Sequence, residues 1–136
     1  MFQLSKKVEY GLITLRHMAA GPKGQMYTVK DIAAEYSLPY ELLAKVMQKL
    51  GRGGMIASHQ GVNGGYVLQC DPSSVTISEI MGVIDGKPAI AIVKCETHSK
   101  IDPCVRSGNC TIKDPLVKLQ GNLNSVLEKM TVTQLL

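Results

Sequence analysis

Apolar residues along the first fifty positions recur at steps of three and four. Leu4, Val8, Leu12, Leu15 and Met18 or Ala19 share one face of a helix that Gly21-Pro22 ends, with Ser5 placed to cap its start. A shorter helix follows Thr28, a candidate N-cap with Asp31 three residues on, and Val29, Ile32 and Ala33 mark its buried side. Ser37-Leu38-Pro39 then interrupts, because serine favours turns and the fixed φ of proline suits the first turn of a new helix. Beyond it Leu42, Leu43, Val46, Met47 and Leu50 resume the helical spacing. Tyr40, Glu41, Ala44, Lys45, Gln48 and Lys49 are left on the remaining surface, and Gly51 is the expected stop.

The pattern next changes to short strand-like runs. Met55–His59 and Tyr66–Gln69 flank Gln60-Gly61-Val62-Asn63-Gly64-Gly65, where Asn63-Gly64 predicts a tight hairpin turn because both residues tolerate positive φ. Two helices about a turn, followed by a glycine-rich hairpin, form the pattern of a winged helix-turn-helix DNA-binding module. Lys45, Gln48 and Lys49, with Tyr40 and Glu41 at the helix entrance, are its candidates for the major groove. His59, Gln60 and Asn63 are candidates for the backbone or minor groove.

Asp71–Ser74 reads as a loop, and Thr76-Ile77-Ser78-Glu79 as a capping box opening a helix that Gly86 and Pro88 end. No periodicity lasts from 89 to 113. Asp114 as cap and Pro115 in the first turn then start a long helix in which Leu116, Leu119, Leu123, Val126 and Met130 alternate by three and four. That spacing is a coiled-coil seam. Two heptads cannot hold a coiled coil alone and Gly121 weakens the helix, so the seam packs within its own domain or against a second copy of the chain. The tail, Thr131–Leu136, is expected to dock as one more turn capped by Thr133. The fold class is therefore mainly α with a small β-hairpin wing. Residues 1–86 form the winged helix-turn-helix, 87–113 a cysteine-containing loop, and 114–136 a dimerisation helix with its tail.

Composition limits the chemistry. Hydrophobic residues make up 45% but aromatics only 4%, with no Trp, so aliphatic side chains and Met must fill the core. The longest apolar run, Ala89–Val93, is too short to span a bilayer, and Glu9 precedes any signal-peptide core; a cytoplasmic protein with no membrane partner is expected. Residues 1–70 hold eight Lys/Arg against four Asp/Glu, whereas 71–136 hold seven of each, so the net charge of +4 lies wholly in the half with the winged module. That placement suits a phosphate-facing surface. His17, His59 and His98 are scattered and form no acid–base or nucleophile set, which argues against an enzyme.

Cys95, Cys104 and Cys110 lie in one segment, separated by eight and then five residues, while Cys70 stands apart as a candidate buried thiol. Clustered thiols in a reducing compartment point to metal or redox chemistry. Pro103 and Gly108 let the segment curl, and Lys94, Lys100, Arg106 and Lys113 favour thiolates. Zinc would need a fourth ligand such as His98, an iron–sulfur cluster accepts the wide gaps and a non-thiolate ligand, and three reduced thiols need neither. Glu9, beside Val8 on the flank of the first apolar stripe, reads by itself as a solvated carboxylate.

Several of these pieces together resemble the iron–sulfur winged-helix repressors of the IscR and NsrR type, the Rrf-two family. The marks are Leu4-Ser5 with Glu9-Tyr10-Gly11-Leu12, Leu38-Pro39-Tyr40, Gly64-Gly65-Tyr66-Val67-Leu68, Ile77 with Glu79-Ile80, the three loop cysteines, the long helix and Thr131-Val132-Thr133. The resemblance implies a homodimer with cross-paired long helices and a 4Fe-4S or 2Fe-2S cluster that adjusts binding to a double-stranded DNA operator. It places Cys95, Cys104 and Cys110 at the cysteine ligands and Glu9 at the acidic ligand of the NsrR branch, supplied from the other subunit. The chain departs from the pattern in its long first cysteine gap. It also has Lys113 where IscR-like members carry a histidine, Ala44 where some use a base-discriminating glutamate, and Gln60 at the wing arginine. The expected function is a dimeric transcription regulator sensing cluster status, nitric oxide or redox state. A zinc- or thiol-based regulator without a cluster, or a small iron–sulfur electron-transfer protein, is the alternative.

Overall fold

Ser5 starts the first helix as its position predicts. Its hydroxyl accepts from the Val8 amide at 3.2 Å, and α1 runs Lys6–Ala20 in the computed structural model, which describes residues 3–86, 90–91 and 111–136. Val8, Leu15 and Met18 are buried on the expected stripe, and the buried Thr14 hydroxyl donates to the Tyr10 carbonyl at 2.8 Å. Gly11 faces Ile84 so closely that a Cβ would collide with its side chain, which lets α1 cross the fourth helix at short range.

The Thr28 hydroxyl accepts from the Asp31 amide at 3.0 Å and opens α2, Val29–Tyr36. Ser37 ends it in the left-handed region at φ 53. α3, Tyr40–Arg52, then buries Leu43, Val46, Met47 and Leu50. The expected stop at Gly51 is too early: the helix runs on to Arg52 and Gly53 caps it. The positive φ that turns the chain falls on Gly54, at 77°, where a side chain would be strained.

The described residues hold three strands where two were expected. β1 (Met26–Tyr27), β2 (Ile56–His59) and β3 (Gly65–Leu68) form an antiparallel sheet in the order β1-β3-β2. The wing turn also differs. His59 pairs with Gly65, so the loop is Gln60–Gly64 rather than a two-residue turn. The positive φ sits on Gly61, at 125°, and on neither Asn63 nor Gly64. The Gly64 amide closes the loop onto the Gly61 carbonyl at 3.0 Å.

α4, Ile77–Asp85, opens with the full capping box: Thr76 accepts from the Glu79 amide at 3.2 Å, and Glu79 accepts from the Thr76 amide at 2.9 Å. Gly86, at φ 71, ends it. α5 spans Lys113–Lys129 with Ile112, not Asp114, at the cap; Asp114 sits inside the first turn, where its charge meets the positive helix end. Thr131, rather than Thr133, caps the closing 3-10 turn Val132–Leu135, in a reciprocal pair with Gln134. That turn docks as expected. Val132 is buried, its amide bonds to the Val75 carbonyl at 3.0 Å, and Arg16 Nε donates to the Leu135 carbonyl at 2.8 Å.

One core joins α1–α4, β1, β2 and the docked tail. Among the described residues, half-buried Leu127 of α5 and Met130 at its C-cap pack against that core, and α5 holds no buried residue of its own. On its seam Leu119 is 46% and Val126 61% exposed.

Candidate nucleic-acid interface

The packing of α3 decides which of its side chains reach outward. Because Leu43, Val46, Met47 and Leu50 turn inward, Tyr40, Glu41, Lys45 and Gln48 stand exposed on the opposite surface. Lys49 is placed differently. It is half-buried, and its ammonium donates to the Ile84 carbonyl at 2.7 Å, tying α3 to the last turn of α4. Two cations that sequence reasoning did not single out join this surface. Lys7 of α1 and Arg52 of α3 line a cleft of about 180 Å³ with Lys45, Val46, Gln48 and Lys49. Lys45, Lys49 and Arg52 follow at i, i+4 and i+7, so their shared side was readable; the arrival of Lys7 needs the tertiary fold.

The wing carries His59 at the end of β2 and Gln60 and Asn63 in its loop, all exposed, with Val62 fully exposed between them. Lys45, Gln48 and the wing residues therefore form outward-facing surfaces on consecutive elements. His17 is used internally: its Nδ1 lies 2.8 Å from the Tyr36 hydroxyl, with Tyr27 and Tyr36 edge-on to the ring.

Glu9 occupies the outer edge of α1. Its carboxylate pairs with Lys6 at 3.1 Å, and that hydrogen bond and charge raise the Lys6 pKa above its ordinary value. With Gln3, Leu4, Ser5 and Lys6 it lines an open cavity of about 660 Å³. Cys95, Cys104 and Cys110, and His98 with them, lie outside the described residues. Among the described residues, no three His, Cys, Asp or Glu side chains are grouped to hold a metal. Ile90, five residues before Cys95, is anchored: its amide donates to Asn124 Oδ1 at 2.6 Å, and Asn124 Nδ2 donates to its carbonyl at 3.1 Å. Cys70 is half-buried, and that burial pushes its thiol pKa up. No helix among the described residues is long and apolar enough to cross a membrane.

Comparison with known proteins agrees with this geometry. A family model described as Rrf2, iron-dependent transcriptional regulator, matches residues 4–136. The chain is 30% identical over 133 residues to the HTH-type transcriptional regulator NsrR of Shouchella clausii, covering 98% of this chain and 87% of that one. Among solved structures, CymR, the global cysteine regulator of B. subtilis, superposes with a TM-score of 0.78 at 24% identity, over 99% of this chain and 96% of that one. T. potens IscR does so with a TM-score of 0.65 at 23% identity, over 98% and 85%. These two share the winged fold, and the named relatives are regulators rather than enzymes. Among the described residues five α-helices pack with a three-stranded sheet that carries the wing, and α3 turns Lys45 and Gln48 outward; with a family match across nearly the whole length, the conclusion is that the chain belongs to the Rrf2 family and is a DNA-binding transcriptional regulator.

Proposed function

We propose that the chain acts as a homodimer whose grip on operator DNA is set by an iron–sulfur cluster on Cys95, Cys104, Cys110 and Glu9, so that cluster status, nitric oxide or redox state reaches transcription. The observation that carries this reading is α5, a seventeen-residue helix with an apolar seam and no buried residue. A second copy of the chain finishes such a seam, and the same pairing brings two cysteine segments into one assembly.

Glu9 suits the part of an exchangeable oxygen ligand. Its described partner is the exposed ammonium of Lys6, and an exposed pair is worth about 0–1 kcal/mol, so releasing the carboxylate costs little. When bound, the cluster supplies a centre that iron loss, nitric oxide or oxidants alter. The chain's own contribution is to connect that centre to the reading heads. Asn124 ties the backbone at Ile90 to α5, and Lys49 ties the end of α4 to α3. On DNA, Lys45 and Gln48 face base edges, with Tyr40 and Glu41 at the groove entrance and Lys49 beside the backbone. His59, Gln60 and Asn63 carry the wing to backbone or minor groove. Two-fold half-sites lie about one helical turn apart, so a small rotation of the subunits spoils the match.

Purification under anaerobic conditions, with visible absorbance and iron and sulfide analysis, tests the reading. Wild type is expected to be coloured and iron-bearing, and Cys104→Ala colourless. The fold likeness to CymR favours a second reading, a thiol-based regulator without a cluster. A colourless wild type holding zinc, or no metal at all, would transfer support to it.

A further inference from the structure

Lys7, Lys45, Lys49 and Arg52 share one cleft, completed by Val46 and Gln48, and no carboxylate lines it. Among the described residues none of the four is ion-paired; Lys6, the neighbour of Lys7, takes Glu9 instead. Like charges gathered without a counter-charge repel one another, and an anion seated between them relieves that repulsion. The volume of about 180 Å³ lies below the range of pockets that enclose drug-sized ligands, which suits a single anionic group rather than a whole metabolite. Lys49 is already held at the wall by the Ile84 carbonyl at 2.7 Å, so its charge is in place before anything binds and two of its N–H donors remain.

We propose that this cleft seats one phosphate of the DNA backbone beside the recognition helix, clamped between Lys7 of α1 and Arg52 of α3 with Lys49 as its fixed wall; the inference rests on the DNA-binding reading. The planar guanidinium of Arg52 presents a fork that matches two phosphate oxygens. Lys7 closes from the other helix, so the clamp references the depth of α3 in the groove to α1. Contacts of this kind position the protein without reading sequence.

The test is duplex binding by the full-length protein across a series of KCl concentrations, for wild type, Lys7→Gln, Arg52→Gln and the double variant. Lys23→Gln, at a residue that lines a different cavity with Pro22 and Tyr27, serves as control, and circular dichroism confirms that each variant folds. Each phosphate neutralised contributes about 0.9 to the slope of log affinity against log salt. A dimer carries two such clefts, so the double variant should flatten the slope by about two, one unit from each subunit, equally on operator and unrelated duplex. Each single variant should lose part of the same unit, because both side chains serve one phosphate. Unchanged slopes in all variants, with duplex binding intact, would overturn the clamp. So would a loss of about four per dimer in the double variant, which means separate phosphates for Lys7 and Arg52. If inorganic phosphate raises the wild-type melting temperature while the variants bind DNA as wild type does, the cleft is a free-anion site and the clamp is wrong. A folded wild type that binds no duplex overturns the DNA reading itself, and the clamp with it.

Discussion

Leu15, Ile32, Leu43 and Ile80 are fully buried within this chain, whereas Leu119 and Val126 remain 46% and 61% exposed on a helix with comparable apolar spacing. The winged module closes on itself. Its helices cap their own ends at Ser5, Thr28 and Thr76, and its stripes meet one another around Gly11 and Ile84. Among the described residues α5 meets that module along α4, through Leu127, Met130 and the docked turn at Val132. Similar sequence patterns thus end in opposite circumstances. An apolar stripe predicts that something covers it, and only the tertiary structure tells whether the cover is in the same chain.

The largest expected effect comes from spoiling the uncovered stripe. Leu119→Glu with Val126→Glu should weaken self-association by roughly 3–6 kcal/mol per dimer, taking half of a full burial at each of four positions. Sedimentation should then show monomers whose far-ultraviolet dichroism is unchanged; a wild type already monomeric at the same concentration would remove the contrast. Next is Leu43→Ala in the covered region, expected to cost roughly 2–5 kcal/mol in urea unfolding because the site cannot collapse around the lost volume. Equal losses from both variants, with the same dependence on protein concentration, would show that the two regions are not distinct. Gly121→Ala has the opposite sign. A Cβ there meets nothing within 4 Å, and Gly121 lies about 200° round the helix from Leu119. It should therefore raise stability by roughly 0.5–1 kcal/mol without changing association.

The smallest effect concerns the thiols. Burial raises the Cys70 pKa, so at neutral pH it should alkylate more slowly than free cysteine in a variant with Cys95, Cys104 and Cys110 changed to Ser. Because folding raises this pKa, the unfolded chain releases the proton first as pH climbs above the ordinary thiol value. Cys70 therefore makes the fold less stable with rising pH in that window, until its folded pKa is passed. Rapid alkylation of Cys70 at neutral pH would show that the module leaves it open.

Much of this contrast was legible in the amino-acid order, because α1, α3 and α4 are long enough for their spacing to speak and Thr28 and Thr76 carry local hydrogen-bond chemistry. What escaped depends on contacts distant in sequence. β1 is two residues long and exists through pairing with Tyr66 and Val67. The wing turn places its positive φ on Gly61 because the register of β2 against β3 fixes a five-residue loop, which overrides the local preference of Asn63-Gly64. The ends of α3 and α5 shifted by a residue or two, as capping is settled by what the next segment docks against. Tyr40, Glu41, Lys45 and Gln48 could be placed on one surface from spacing alone. The Lys49–Ile84 tie and the meeting of Lys7 with Arg52 join helices far apart in the chain, and no pattern within one helix announces them.

Operator affinity of one anaerobic preparation, measured before and after iron is removed or nitric oxide is added, tests the central claim most directly. The account predicts a dimer in both states and a change in affinity of about 5- to 150-fold, the usual range for coupling between two sites. An iron-free preparation that binds the operator with the same affinity as the loaded one would contradict it.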